Sequence, residues 1–243
     1  MTDKYYYEHQ APEYEWLEWY NQHESKNYVG TSTTIDLIVV KLINDKLSVL
    51  IKPRDIHPFK DQLALPGSYL HSNEQSSTET MKRIYSEKLN LDHFSKLKPS
   101  QIQQLASYTN ANRDPRGRVV SIAYIIYDNQ AEAKNGYEWI ELTQVQHYIN
   151  LAFNHGDILF DAVNRISDQF SWTPFVLYSI PQPFTLSDMV KLKANIHNKE
   201  IKSINRSNLR KKNVTIHYER FNQKQHNLLQ TTYLREKAGL ILC

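Results

Sequence analysis

The chain has 243 residues, of which 40% are hydrophobic and 23% charged, with a formal net charge of +3. That composition suits one large or two modest globular domains, with neither an uncharged apolar run long enough to span a bilayer nor a basic-then-apolar leader. The one cysteine, Cys243, excludes disulfides and cysteine-based zinc sites within a single chain and points to a reducing cytoplasm.

Residues 1–28 make an aromatic and acidic arm. Trp16, Leu17, Trp19 and Tyr20, with acids between them after Pro12, predict a short amphipathic helix docked on the body or used as a dimer contact. From Thr31 the pattern changes to strands. TTIDLIVVKL and KLSVLIKPR are β-branched and apolar and flank Asn44-Asp45, which predicts a hairpin. Arg54 closes the second strand, as a phosphate-facing cation or a solvated strand-end charge.

Leu65 to Leu91 opens with the turn Pro66-Gly67-Ser68, crosses a polar loop containing Glu74, and ends in a helix with Arg83 and Glu87 on one face. Further on, RDPRGR (Arg113 to Arg118) is a turn set by Asp114-Pro115 and Gly117 among three arginines, ahead of the strand VVSIAYIIY. Guanidinium groups bind phosphates bidentately, so this loop suits a nucleotide-sugar diphosphate; alternatively Arg113 and Asp114 pair to brace the turn. A strand, YEWIEL, and a helix in LAFNHGDILFDAVNRI follow; His155 and Asp157 there read as a helix cap in preference to metal ligands.

The tail is set apart by charge. After Pro181-Gln182-Pro183 it holds twelve Lys and Arg against four acids, which suggests a polyanionic partner. Thr185 or Ser187 caps a helix whose Leu186, Met189, Val190, Leu192 and Ile196 face a small core. A second helix from Ile204 leaves Arg206, Ser207, Asn208, Arg210, Lys211 and Lys212 for solvent or DNA, and a two-stranded ribbon follows. Helix, turn, basic helix and ribbon is the order of a winged helix-turn-helix. Ser187 and the second-helix polar residues are its candidate DNA contacts, on phosphates and base edges.

The 65–91 stretch resembles the Nudix box, the loop-helix that grips metal and pyrophosphate in Nudix hydrolases. Laid on that pattern, the second Gly is Ser68, the loop Glu is Glu74 and the helix Arg is Arg83. The three helix carboxylates are Ile84, Glu87 and Lys88, and the closing Gly is Asn90. One helix carboxylate of three remains, too few to cluster oxygen ligands around Mg²⁺. RDPRGR with its strand, FTLSDM and NRSNLRKK also resemble Nudix-type transcription regulators such as the NrtR-like repressors. The ribbon turn departs from them in lacking an Arg-Gly-rich wing.

The resemblance implies an α+β chain. Residues 29–180 would be a Nudix-fold α/β/α sandwich with a mixed sheet, and 181–243 a winged helix-turn-helix. It implies a cytoplasmic homodimer that binds an operator in double-stranded DNA and senses a phosphorylated effector such as ADP-ribose, with NAD metabolism as the target. The expected ligand-binding residues are Arg54, Arg83, Arg113, Arg116 and Arg118, with Glu74, Arg83 and Glu87 as the residual box and no cofactor required. The alternatives are an Mg-dependent Nudix hydrolase of ADP-ribose or a similar compound, and a ligand-binding module whose tail contacts RNA or protein.

Overall fold

The structure, a computed structural model, describes residues 3–23, 30–145, 151–170, 175–181, 184–197, 199–204 and 228–229. Its elements in chain order are α1 (Asp3–His9), α2 (Glu13–His23), β1 (Ser32–Ile43), β2 (Lys46–Pro53), β3 (Leu63–Ala64), β4 (Gly67–Tyr69) and α3 (Ser77–Arg83). There follow β5 (Ile102–Tyr108), β6 (Val119–Tyr127), β7 (Glu138–Glu141), α4 (Leu142–Val145), α5 (His155–Gln169), β8 (Phe184–Thr185), α6 (Leu186–Ile196) and β9 (Leu228–Leu229).

β1 is central because its sequence suits burial on both faces. A near-continuous β-branched run is what a strand covered on each side requires. Ile35, Leu37 and Val39 point to one side, where Met81, Ile84, Tyr85 and Leu89 cover them. Ile38, Val40 and Leu42 point to the other, into a core with Ile158, Leu159, Ala162 and Ile166 of α5. β1 runs parallel to β6, with Ser32 opposite Val119 and Val40 opposite Tyr127. It is antiparallel to β2 and β4. The seven-stranded mixed sheet has the order β3-β2-β1-β6-β5, with β4 also on β1 and β7 on β2. The hairpin turn is at Asn44-Asp45 as expected, both residues having positive φ (49° and 64°), the geometry of a type I′ turn.

Three expectations change. The box helix is not one α-helix: after Arg83 it continues as a π-turn over Ile84–Lys88, with Leu89 N–H donating to the Ile84 carbonyl. The arm forms the helix after Pro12, but no residue of α2 is buried. Its aromatics meet α1 instead, Tyr7 stacking on Trp19 with ring centres 5.2 Å apart. The helix of the tail is capped by Thr185, whose Oγ1 accepts from Asp188 N–H while Asp188 Oδ2 accepts from Thr185 N–H. Yet its apolar face does not serve a separate core alone. Met189 and Leu192 enter the core of the body, and Val190, Ala194 and Ile204 form the small cluster.

Polar contacts tie α6 down as well: Leu47 N–H donates to Asn195 Oδ1 at 2.9 Å, and Lys191 pairs with Asp45 at 2.8 Å. The expected second helix lies outside the described residues except for Ile204. So does the ribbon except for Leu228–Leu229, which pair with β8. No helix among the described residues is long and apolar enough to cross a membrane.

Because Leu192 is fully buried in the body's core, Leu192→Ala should lower global stability by about 2–5 kcal/mol. Urea unfolding followed by far-UV circular dichroism checks this; a transition unchanged in the sheet signal would mean that the tail folds apart from the body.

Candidate functional site

A cavity of about 450 Å³ opens where the second strand, the box turn, the RDPRGR loop and the start of α5 meet. Its floor is the buried side chain of Asp36 on β1. Ser121 Oγ donates to Asp36 Oδ2 at 2.5 Å, Arg113 reaches the same oxygen at 3.4 Å, and His155 Nε2 lies 3.7 Å from Oδ1. His155 Nδ1 accepts the Leu65 N–H at 3.0 Å, so the ring proton sits on Nε2, facing Asp36. Burial holds His155 below its ordinary value, only partly offset by Asp36, which keeps the ring neutral. Gly67 covers Asp36 so closely that a Cβ there would lie 2.0 Å from Asp36 Oδ1.

The walls are cationic and aromatic. Arg116 holds Asp114 through two contacts, Nε–Oδ1 at 2.9 Å and an NH2–Oδ2 ion pair at 2.7 Å, and lies over the rings of Tyr69 and Phe153. Arg54 stands 4.7 Å from the Phe153 ring centre and donates from Nε to the Pro58 carbonyl. Burial first, and the Arg116 cation second, lower the Arg54 pKa. Lys52 and Lys88 complete the basic lining. Cations held beside one another in a cleft favour an anion there.

Of the expected ligand residues, the structure brings Arg54, Arg113 and Arg116 to this cavity. Arg113 is itself buried, bonded to Asn154 and Asp36, so it shapes the floor. It does not pair with Asp114 to brace the turn; Arg116 does that. Arg118 is exposed and outside the lining.

Arg83 is also placed elsewhere. Its Nε and NH2 grip Glu74 (2.7 and 3.2 Å), NH1 donates to Ser68 Oγ and NH2 to the Tyr69 carbonyl. Glu74 further accepts from Thr80 and from His71 N–H. The Arg83 hydrogen bond is the chief reason that the Glu74 pKa falls to about 2. This pair clamps the loop to the helix. Glu87, 65% exposed, stands 4.0 Å from Arg83 at the cavity edge.

The expected cap of α5 is absent: Asn154 precedes the helix without a side-chain cap bond, and His155 is turned into the floor. Asp157 is exposed in the first turn. Ser187 is exposed in the first turn of α6, while Arg206, Ser207, Asn208, Arg210, Lys211 and Lys212 lie outside the described residues.

Sequence reasoning missed Phe153, which has φ +56° and packs against Phe59 and His155 between the two arginines. A loop aromatic has no periodicity to betray it. Lys52 and Tyr137, also in the lining, were hidden as ordinary strand residues.

The resemblance to the Nudix box implies a divalent cation there, and these residues do not fit one. Glu74 is engaged by Arg83, Ile84 is in the core, and Lys88 brings a positive charge. No group of three or more possible ligands is found among the described residues.

Two measurements follow from the geometry. Glu74→Gln should cost about 1–3 kcal/mol at neutral pH, toward the low end because the pair is only part-buried and partly screened. The folded pKa is depressed, so the wild-type contribution is complete above the ordinary 4.5 and lost as pH falls toward about 2. Urea titrations of both proteins along that pH range should converge at the acid end. Gly67→Ala should cost about 1–3 kcal/mol by forcing Asp36 aside, read as a lower denaturation midpoint.

No protein-family model matches the chain. The ADPR-responsive transcriptional repressor NtrR of Acinetobacter baylyi is 28% identical over 194 residues, covering 76% of this chain and 75% of that one. A MutT/nudix family protein from Enterococcus faecalis superposes with a TM-score of 0.70 at 28% identity, over 86% of this chain and 90% of that one. Shewanella oneidensis NrtR, solved in complex with a 27mer DNA, gives a TM-score of 0.61 at 25% identity, over 73% of this chain and 80% of that one. In sequence and fold the chain is thus similar to NrtR-like Nudix proteins, and its box keeps the loop-helix scaffold while two of the three helix carboxylate positions hold Ile84 and Lys88.

Proposed function

We propose that the chain is a DNA-binding transcriptional regulator whose Nudix domain senses ADP-ribose or a related nucleotide sugar. The observation that carries this reading is the cavity itself: cations and aromatics suited to a nucleoside diphosphate surround it, while Glu87 is the one helix carboxylate of the box left beside it and the loop Glu74 is held by Arg83. The similarity to a repressor named as ADPR-responsive supports the choice of effector, and the NrtR–DNA complex supports the choice of partner.

In this reading residues 181–243 form a winged helix-turn-helix, with Ser187 and the basic residues from Arg206 to Lys212 at the DNA. The protein binds a palindromic operator as a homodimer. Effector binding alters DNA affinity only if it favours one arrangement of the tail over another. β2 supplies a short route for that preference: Lys52 at one end lines the cavity, and Leu47 near the other holds Asn195 of α6.

Fluorescence anisotropy with duplex DNA from the neighbourhood of the protein's own gene should show sequence-preferring binding that weakens with salt. ADP-ribose should change that affinity roughly 5- to 150-fold. Arg116→Ala should keep DNA binding but need roughly tenfold more ADP-ribose for the same response. Mg²⁺-dependent turnover of ADP-ribose without any DNA preference would overturn the reading.

A further inference from the structure

The box helix shows where a metal's charge has gone. Of the three positions that carry carboxylates in the box pattern, Ile84 is fully buried under the sheet and Glu87 stands at the cavity edge, 65% exposed and 4.0 Å from Arg83. The third is Lys88. It is an exposed residue that lines the cavity, and its ammonium donates to the Gly67 carbonyl, at the turn that opens the box. The π-turn over Ile84–Lys88 places it there, since i→i−5 bonding rotates Lys88 relative to the face that Arg83 presents to Glu74.

Two nearby cations are differently committed, while Arg54, like Lys88, has a backbone carbonyl for its partner. Lys52 is paired with Asp55 at 2.7 Å and Arg116 with Asp114 at 2.7 Å. Lys88 has a carbonyl for a partner and no ion pair among the described residues. Burial lowers its pKa, as do the charges of Arg54, Arg83 and Lys52, against which Asp36 alone acts. A cation so placed is relieved by an anion entering the cavity.

We propose that Lys88 replaces the divalent cation of the Nudix box, so that the cavity takes a diphosphate group metal-free with the Lys88 ammonium as its fixed counter-charge. The proposal rests on the diphosphate-ligand reading above. It extends that reading by naming the residue that does the metal's electrostatic work and by removing the metal from binding.

The test is calorimetric titration of the full chain with ADP-ribose, in EDTA and in Mg²⁺, and with inorganic pyrophosphate in EDTA. Wild type should bind ADP-ribose equally in both buffers. Lys88→Met should weaken binding of either probe roughly ten- to hundredfold in EDTA. Lys88→Arg should recover most of it. Lys82→Met, on the exposed side of the same helix, should bind as wild type and so control for net charge. Thermal unfolding of each variant controls for folding. Wild-type binding that requires Mg²⁺, or Lys88→Met binding as well as wild type, overturns the proposal. Pyrophosphate binding in EDTA that depends on Lys88, with no binding of ADP-ribose, would sustain the Lys88 role and refute the effector instead. Binding of neither probe would refute both.

Discussion

The structure depends on a buried carboxylate in the middle of its central strand. Asp36 interrupts an otherwise apolar run, and a lone charge there would be costly. It is tolerated because three separate elements turn polar atoms toward it: Ser121 from β6, Arg113 from the RDPRGR loop and His155 from the start of α5. The same carboxylate leaves no room for a side chain at Gly67, which lets the box turn lie flat against β1. Four stretches of chain distant in sequence are thereby held at one point, and the cavity is the space they leave above it. Removing one member of such a set leaves the others buried without partners, so the floor acts as a unit.

Around this floor the cations fall into two kinds. Arg83 and Arg113 are structural, since their hydrogen bonds run to Glu74, Ser68, Tyr69, Asn154 and Asp36. Arg54 and Arg116 bond less completely to the protein and lie against Phe153, which orients their planes. The ring between the two guanidinium groups fixes their planes, with Arg116 also held by Asp114 and Arg54 by the Pro58 carbonyl, so a planar base or a phosphate would find their remaining donors preset. Preset donors reduce the ordering cost of binding, which a site for a charged, flexible ligand otherwise bears in full.

Much of this was legible in the sequence, and the rest was hidden for physical reasons. The β-branched run of β1, the Asn44-Asp45 turn and the Thr185 cap are local signals, and each formed where the residues indicated. The arginines of the RDPRGR loop were visible as phosphate-binding chemistry, but which of them points into a cavity depends on partners far away in sequence. Asp114 chose Arg116 over Arg113 because Asn154 and Asp36 already hold Arg113. The π-turn has no residue signature. The periodicity of α6 revealed an apolar face without saying what it would meet, and the face is divided: Met189 and Leu192 belong to the body, Val190 and Ala194 to the small cluster with Ile204.

That division has a mechanical consequence. β2 pairs with β1 on one side and with β7 and β3 on the other, so it is stiff along its length. Lys52 and the adjoining Arg54 sit at its cavity end, while Leu47 holds α6 through a hydrogen bond from its own backbone. For α6 to shift, the Leu47 donor must lose Asn195, and Met189 and Leu192 must leave a packed core, each at a cost of order 1 kcal/mol or more. Small adjustments of the strand therefore move α6 with it more readily than they break its seat. Because packed interfaces resist continuous deformation, the same contacts that stabilise the body would, in the proposed reading, carry a change at the cavity to the first helix of the tail.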